Sequence, residues 1–141
     1  MLKFFKKEQE QDHKNITQIR DTDHVGQIML EGKKELQRQF VGLTEQDLKN
    51  LKEIYPIIEK HVDRIVDVFY GKIQEMPNLI KIINEYSTID RLRKTLRQYV
   101  IEMFEGNVGE QYLRRRRAVG YAHNRIGLYP EWYMGAYSLL Q

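Results

Sequence analysis

The side chains of this sequence best suited to binding a transition metal are four histidines, and His123 is the one with an apolar setting. At helical spacing it shares a face with Val119, Gly120, Ile126 and Gly127, so no carboxylate adjoins the imidazole. A histidine in such a place can simply be a packed core residue. Alternatively, it offers a neutral imidazole to a metal, and haem iron needs a single protein nitrogen inside an apolar slot.

The other three histidines have polar surroundings. His13 and His24 lie in the N-terminal region, and His61 stands between Lys60 and Asp63 with an expected solvated position. Zinc or non-haem iron needs two or three further histidine or carboxylate ligands at close spacing, and the sequence has no HExxH pair. Cysteine is absent, which excludes disulfides, thiolate nucleophiles and cysteine-ligated metals.

Composition favours one domain without a membrane span. The 141 residues carry 23 Lys and Arg against 20 Asp and Glu, a net charge of +3 that requires no polyanionic partner. No apolar run approaches the roughly 18 residues of a membrane span, and the N-terminus lacks the apolar stretch of a secretory signal. We therefore expect a cytoplasmic protein.

The chain divides into three parts. Residues 1–15 are rich in lysine, glutamate and glutamine and are expected to form a mobile polar tail. Residues 16–43 form an N-terminal extension with room for an extra helix, interrupted near Gly26 and Gly32. The main domain spans 44–141.

Helical signals continue through the main domain. Thr44 is a predicted N-cap, and Pro56 is predicted to end that first helix and to begin a second, reaching about residue 74. Further predicted boundaries are Pro77, Ser87 or Thr88, Gly106 with Gly109, Gly127 and Pro130. No segment alternates apolar and polar residues as a strand does, so the fold class is all-α.

Three segments resemble a known family in the same order. YAHNRIGLYPEWYMGAY (121–137) is similar to the proximal segment of the globin domain of globin-coupled sensors, above all in haem-based aerotactic transducers of Gram-positive bacteria. VDRIVDVFY (62–70) and IDRLRKTLRQYVIEMFEG (89–106) resemble the same family, so the likeness covers about residues 40–141. The resemblance implies a globin-like fold of the globin-sensor or protoglobin type, haem b as cofactor and no enzymatic activity.

The resemblance also implies roles for individual residues. It implies that His123 is the axial iron ligand and that Tyr133 is a proximal tyrosine. On the distal side it implies that Tyr70 is the distal tyrosine, that Thr95 hydrogen-bonds to oxygen and that Leu92 is a pocket wall. Tyr86 stands where close relatives have a histidine, so no role is carried over to it.

The residues themselves leave another interpretation open for Tyr70 and Thr95. Each lies on the apolar face of its helix, where an unpartnered hydroxyl costs roughly 1–3 kcal/mol. Alternatively, the tyrosine tip reaches solvent and the threonine bonds to its own helix backbone.

A run of four arginines, Arg114–Arg117, is the other conspicuous feature. A helix spreads four consecutive residues around its circumference, so they cannot form one binding stripe. Aromatic residues do not interleave with the basic ones as a single-strand-binding face requires. We expect solvated charge here, with one arginine available to a haem propionate, and no nucleic-acid partner.

The function implied by the resemblance is that of an oxygen-sensing input domain in aerotaxis or chemotaxis, binding oxygen or another diatomic gas. Relatives pass the signal to a C-terminal signalling domain, which these residues do not include, and a homodimer is expected of the full-length protein. Since few residues follow His123, the family fold is expected to lack its final helix here. A haem-free globin-like regulatory or protein-interaction module stays open as the alternative.

Overall fold

Helices make up most of residues 28–140, which are the residues that the computed structural model describes; for Met29 this holds of the backbone only. In chain order the elements are β1 (Ile28–Met29), α1 (Gly32–Phe40), α2 (Glu45–Gln74), α3 (Pro77–Tyr86), α4 (Ile89–Met103), β2 (Val108–Gly109), α5 (Glu110–Arg125) and α6 (Pro130–Leu140). The predicted all-α fold is confirmed. The tail at 1–15 and the break near Gly26 lie outside the described residues.

The longest helix, α2, begins at a capping box. The Thr44 hydroxyl accepts a hydrogen bond from the Asp47 backbone N–H, and the Asp47 carboxylate accepts one from the Thr44 N–H at 2.8 Å. The predicted cap at Thr44 is therefore confirmed.

The predicted break at Pro56 is wrong, because α2 continues through it for 30 residues. Proline removes one helical N–H donor and crowds the preceding turn. Buried side chains lie on both sides of Pro56, with Leu48 at 1% exposure before it and Val62 at 0% after it. Tertiary packing along the whole helix outweighs the local preference to stop.

The core forms where α2 packs against α4. Its buried residues are Val62, Val66, Phe69, Tyr70, Val100 and Ile101, with Leu92, Leu96, Ala136 and Leu140 among the partly buried residues around them. Ion pairs at the edge of this contact join Asp63 to Arg97 at 2.9 Å and Asp67 to Arg93 at 2.8 Å. Asp67 follows Asp63 by four residues on α2, whereas its partner Arg93 precedes Arg97 by four residues on α4. The two helices are therefore antiparallel.

Three of the other predicted helix starts are also observed, including Pro130, which begins α6. Pro77 occupies the first turn of α3, and the Thr88 hydroxyl accepts from the Arg91 N–H at the start of α4. Within residues 28–140, no helix combines the length and apolar character that crossing a bilayer requires.

The connection from α4 to α5 passes over the start of α2. Gly106 is buried there with φ +74°, and a Cβ added to it would lie 2.8 Å from the Leu48 carbonyl oxygen. Next along the chain, β2 pairs in parallel with β1, and a salt bridge joins Lys34 of α1 to Glu110 of α5. This two-residue strand pair has no sequence period from which to predict it.

Replacing Gly106 by alanine should destabilise the domain by at least about 1–2 kcal/mol, because the new Cβ meets both a left-handed φ and a backbone oxygen. Gly71→Ala on α2 is the matched control. Nothing lies within 4 Å of its added Cβ, and alanine should gain about 0.5–1 kcal/mol of helix stability. Urea unfolding measures both free energies, and equal changes in the two variants would contradict this account.

Candidate functional site

The end of α5 fixes the backbone of His123. The Leu128 N–H donates to the His123 carbonyl at 3.0 Å, and the Gly127 N–H donates to the Asn124 carbonyl at 3.1 Å. These two bonds form a Schellman motif, which needs the left-handed φ of +69° that Gly127 supplies. The predicted stop at Gly127 is confirmed, and the chain turns at once into α6.

This turn brings Tyr133 of α6 against the imidazole of His123. The two rings are nearly parallel, at 11°, with centroids 5.8 Å apart. Burial lowers the pKa of His123, because the protonated ring loses solvation there. A neutral imidazole, the form that binds a metal, is therefore favoured at a partly buried position beside an aromatic ring.

Tyr70 lies in the core with 8% of its surface exposed, and Leu92 packs against the same cluster. Burial raises the pKa of Tyr70 to about 12, with the nearby Arg93 charge acting in the opposite direction, so the hydroxyl keeps its proton at neutral pH. A protonated hydroxyl on this buried ring is able to donate to a ligand.

Thr95 is placed differently. It is exposed, and its hydroxyl donates to the Arg91 carbonyl one turn earlier at 3.0 Å, which is the backbone-bonded arrangement left open above. A hydroxyl carries one proton, so donation to a ligand requires it to leave Arg91. The distal role of Thr95 stays a prediction.

Tyr86, to which no role was carried over, lies exposed at the end of α3. A hydrogen bond to the Glu85 carboxylate raises its pKa.

A buried polar cluster between α4 and α5 was not predicted. Glu102 is 6% exposed, and its carboxylate accepts from Gln98 at 3.1 Å and from the Arg115 Nε at 3.0 Å. The Arg116 guanidinium lies 3.7 Å from the Tyr99 ring centre. We call Tyr99, Glu102, Tyr112, Arg115 and Arg116 the arginine clasp.

The prediction that the arginine run is solvated is therefore wrong for two of its members. Arg114 and Arg117 are exposed, whereas Arg115 and Arg116 are partly buried on ring and carboxylate partners. One sequence signal was available: Arg116 precedes His123 by two helical turns and so shares its face of α5.

The donor set suits a porphyrin-held iron better than a bare ion. Among residues 28–140, no three histidine, aspartate or glutamate side chains are grouped to hold a metal ion. His123 therefore offers a metal a single nitrogen, next to an aromatic ring. That requirement is met by haem, whose other iron ligands come from the porphyrin itself.

Comparison with known proteins identifies the family. The Protoglobin family model matches residues 30–141, which is most of the chain and includes every site residue discussed above. The chain belongs to the Protoglobin family. The predicted globin-like fold of the globin-sensor type is thereby confirmed.

A curated relative of this protoglobin chain is the heme-based aerotactic transducer HemAT of Halobacterium salinarum. The two are 26% identical over 100 residues, which are 70% of this chain and 20% of the relative. The chain thus spans about a fifth of the relative's length. The predicted likeness to the globin domain of globin-coupled sensors is confirmed, and the special likeness to Gram-positive transducers stays a prediction.

Burial lowers the pKa of His123 below the 6.5 of a free imidazole. Between the pKa of the folded state and pH 6.5, the unfolded chain therefore binds more protons at this ring than the folded chain does. The contribution of this group to stability is complete above pH 6.5 and is lost as pH falls through the folded pKa. We expect the free energy of unfolding of the haem-free chain to fall on acidification below pH 6.5.

Urea unfolding between pH 7.5 and pH 5, compared with His123→Gln, measures this contribution. The variant should show a shallower pH dependence because it lacks the titrating ring. Identical pH dependence in the two proteins would contradict the assignment to His123.

Proposed function

We propose that this domain is a haem-based oxygen sensor, with His123 as the axial ligand of haem b. The observation that carries the proposal is the partly buried imidazole of His123, stacked on Tyr133, in a chain of the Protoglobin family. A haem group, when bound, supplies an iron that takes up diatomic gases reversibly.

The protein's own residues would supply orientation and polarity. Tyr133 limits rotation of the His123 ring through their stacked contact, and the Schellman motif fixes the backbone beneath it. On the other side, the Tyr70 hydroxyl is the donor ready to favour a ligand that carries partial negative charge. Leu92 packs on the core to which Tyr70 belongs.

The signalling role is proposed by similarity. Because the relative is described as an aerotactic transducer, we assign this domain to the input side of an aerotactic or chemotactic pathway in the cytoplasm, with no catalytic activity. In the full-length protein the output would come from a separate signalling domain, in a homodimer.

His123→Ala should abolish haem uptake, or leave a spectrum that added imidazole restores, because the axial nitrogen is lost. The measurement is the visible absorption of the purified chain with stoichiometric haem in the ferrous and ferric states. His61→Ala is the matched control, since His61 is an exposed histidine on α2. An unchanged five-coordinate ferrous spectrum in His123→Ala would refute the assignment, and no haem uptake by the wild type would favour the haem-free interaction module.

Tyr70→Phe should speed oxygen dissociation by up to roughly tenfold, because one distal hydrogen bond is worth about 0.5–1.5 kcal/mol. Carbon monoxide carries less negative charge and should respond less. Thr95→Ala should have a smaller effect than Tyr70→Phe, since the Thr95 hydroxyl is engaged by Arg91.

Stopped-flow ligand replacement gives the rates for both gases, with Tyr121→Phe at an exposed tyrosine of α5 as control. Equal changes for oxygen and carbon monoxide would mean that Tyr70 acts only by its bulk.

A further inference from the structure

Helix α5 contacts α4 through the arginine clasp, where Arg115 donates to the Glu102 carboxylate and Arg116 to the Tyr99 carbonyl. On α5, Arg116 and His123 lie two turns apart on one face. Arg116 is therefore the clasp residue on the His123 face of α5.

Arg116 occupies a closed environment within the clasp. Its guanidinium carbon lies over two rings, 3.7 Å from the centre of Tyr99 and 4.4 Å from that of Tyr112, and its side chain is 14% exposed. One terminal nitrogen donates to the Tyr99 carbonyl at 3.0 Å, and the other lies 3.8 Å from the Glu102 carboxylate. A planar guanidinium can stack and donate at once, which a lysine ammonium cannot do.

The clasp also reaches α6. The Tyr99 hydroxyl is hydrogen-bonded to the Tyr137 hydroxyl at 2.9 Å, and Tyr137 follows Tyr133 by one helical turn. Tyr99 therefore contacts α5 through its ring and carbonyl and α6 through its hydroxyl. The helix of the proximal histidine and the helix of its stacking tyrosine are both tied to one residue of α4.

We infer that Arg116 is a positioning residue for His123: through the clasp it sets the angle of α5 against α4, and so the orientation of the imidazole toward the iron. The two residues are about 10 Å apart along the helix axis at 1.5 Å per residue, so a tilt of about 5° at the clasp moves His123 by about 1 Å. This inference rests on the proposed haem-binding function. It adds a residue that touches neither ligand nor iron.

The first measurement needs no haem. The chain has no cysteine, so Lys94→Cys on α4 and Asn124→Cys on α5, both exposed, give a unique pair of spin labels. Arg116→Lys should broaden the distance distribution between the labels, because it keeps the charge but loses the stacked fork. Arg117→Lys is the matched control, with the same chemical change at the neighbouring exposed arginine, and should leave the distribution unchanged.

The second measurement is the iron–histidine stretching band of the ferrous haem-loaded protein by resonance Raman. Arg116→Lys should shift this band to lower frequency and broaden it, because imidazole orientations away from the optimum bind iron less strongly, while Arg117→Lys should not. Tyr112→Leu removes one ring and leaves the contacts with Glu102. It should shift the band in the same direction. If Arg116→Lys does not fold, Tyr112→Leu is the variant that tests the positioning role.

The outcomes separate the two proposals. A wild-type chain that takes up no haem contradicts the proposed function, and the spin-label distances still test the clasp. A normal iron–histidine band in the wild type, left unmoved by both Arg116→Lys and Tyr112→Leu, overturns the positioning role. An equal effect of Arg117→Lys on either measurement also overturns it.

Discussion

Burial of one face of α2 against α4 is the constraint on which the rest of the domain depends. Val62, Val66 and Tyr70 are almost fully buried there against Val100 and Ile101, and each such apolar side chain contributes roughly 1.5–3 kcal/mol. The ion pairs at the edge of the contact involve exposed aspartates and contribute only about 0–1 kcal/mol each. The apolar contact therefore holds the helices together, and the charges favour one register.

The candidate site joins a rigid half to a more adjustable half. Tyr70 and Leu92 belong to the α2–α4 core or pack on it, so the proposed distal donor, Tyr70, has a fixed place. The helix of His123 has no fully buried side chain and is held by specific contacts at both ends. Elements with little buried apolar surface open and shift at lower free energy than core helices do. Such an element next to a rigid one suits the proposed sensor function.

Local signals predicted the helix boundaries well where the deciding interaction is local. Thr44, Thr88 and Gly127 act through hydrogen bonds or a φ angle within a few residues of themselves. The prediction at Pro56 is wrong because the local preference of proline opposes packing along a 30-residue helix. The site residues came from the family resemblance, since periodicity alone left Tyr70 with two interpretations. The arginine clasp could not be predicted from the arginine run, because the face that Arg116 shares with His123 does not identify its ring and carboxylate partners on α4.

The buried carboxylate of Glu102 shows what the clasp contributes. A buried ion pair adds little net stability over an apolar pair of similar volume, whereas removing one partner costs about 3–5 kcal/mol. An apolar contact between α4 and α5 would hold them as firmly but would tolerate sliding, because dispersion has little directionality. Arg116 has to meet two ring faces, one carbonyl and one carboxylate at once, and few helix angles satisfy all four. The clasp therefore specifies geometry more than stability, which is what the proposed axial role of His123 would require of its helix.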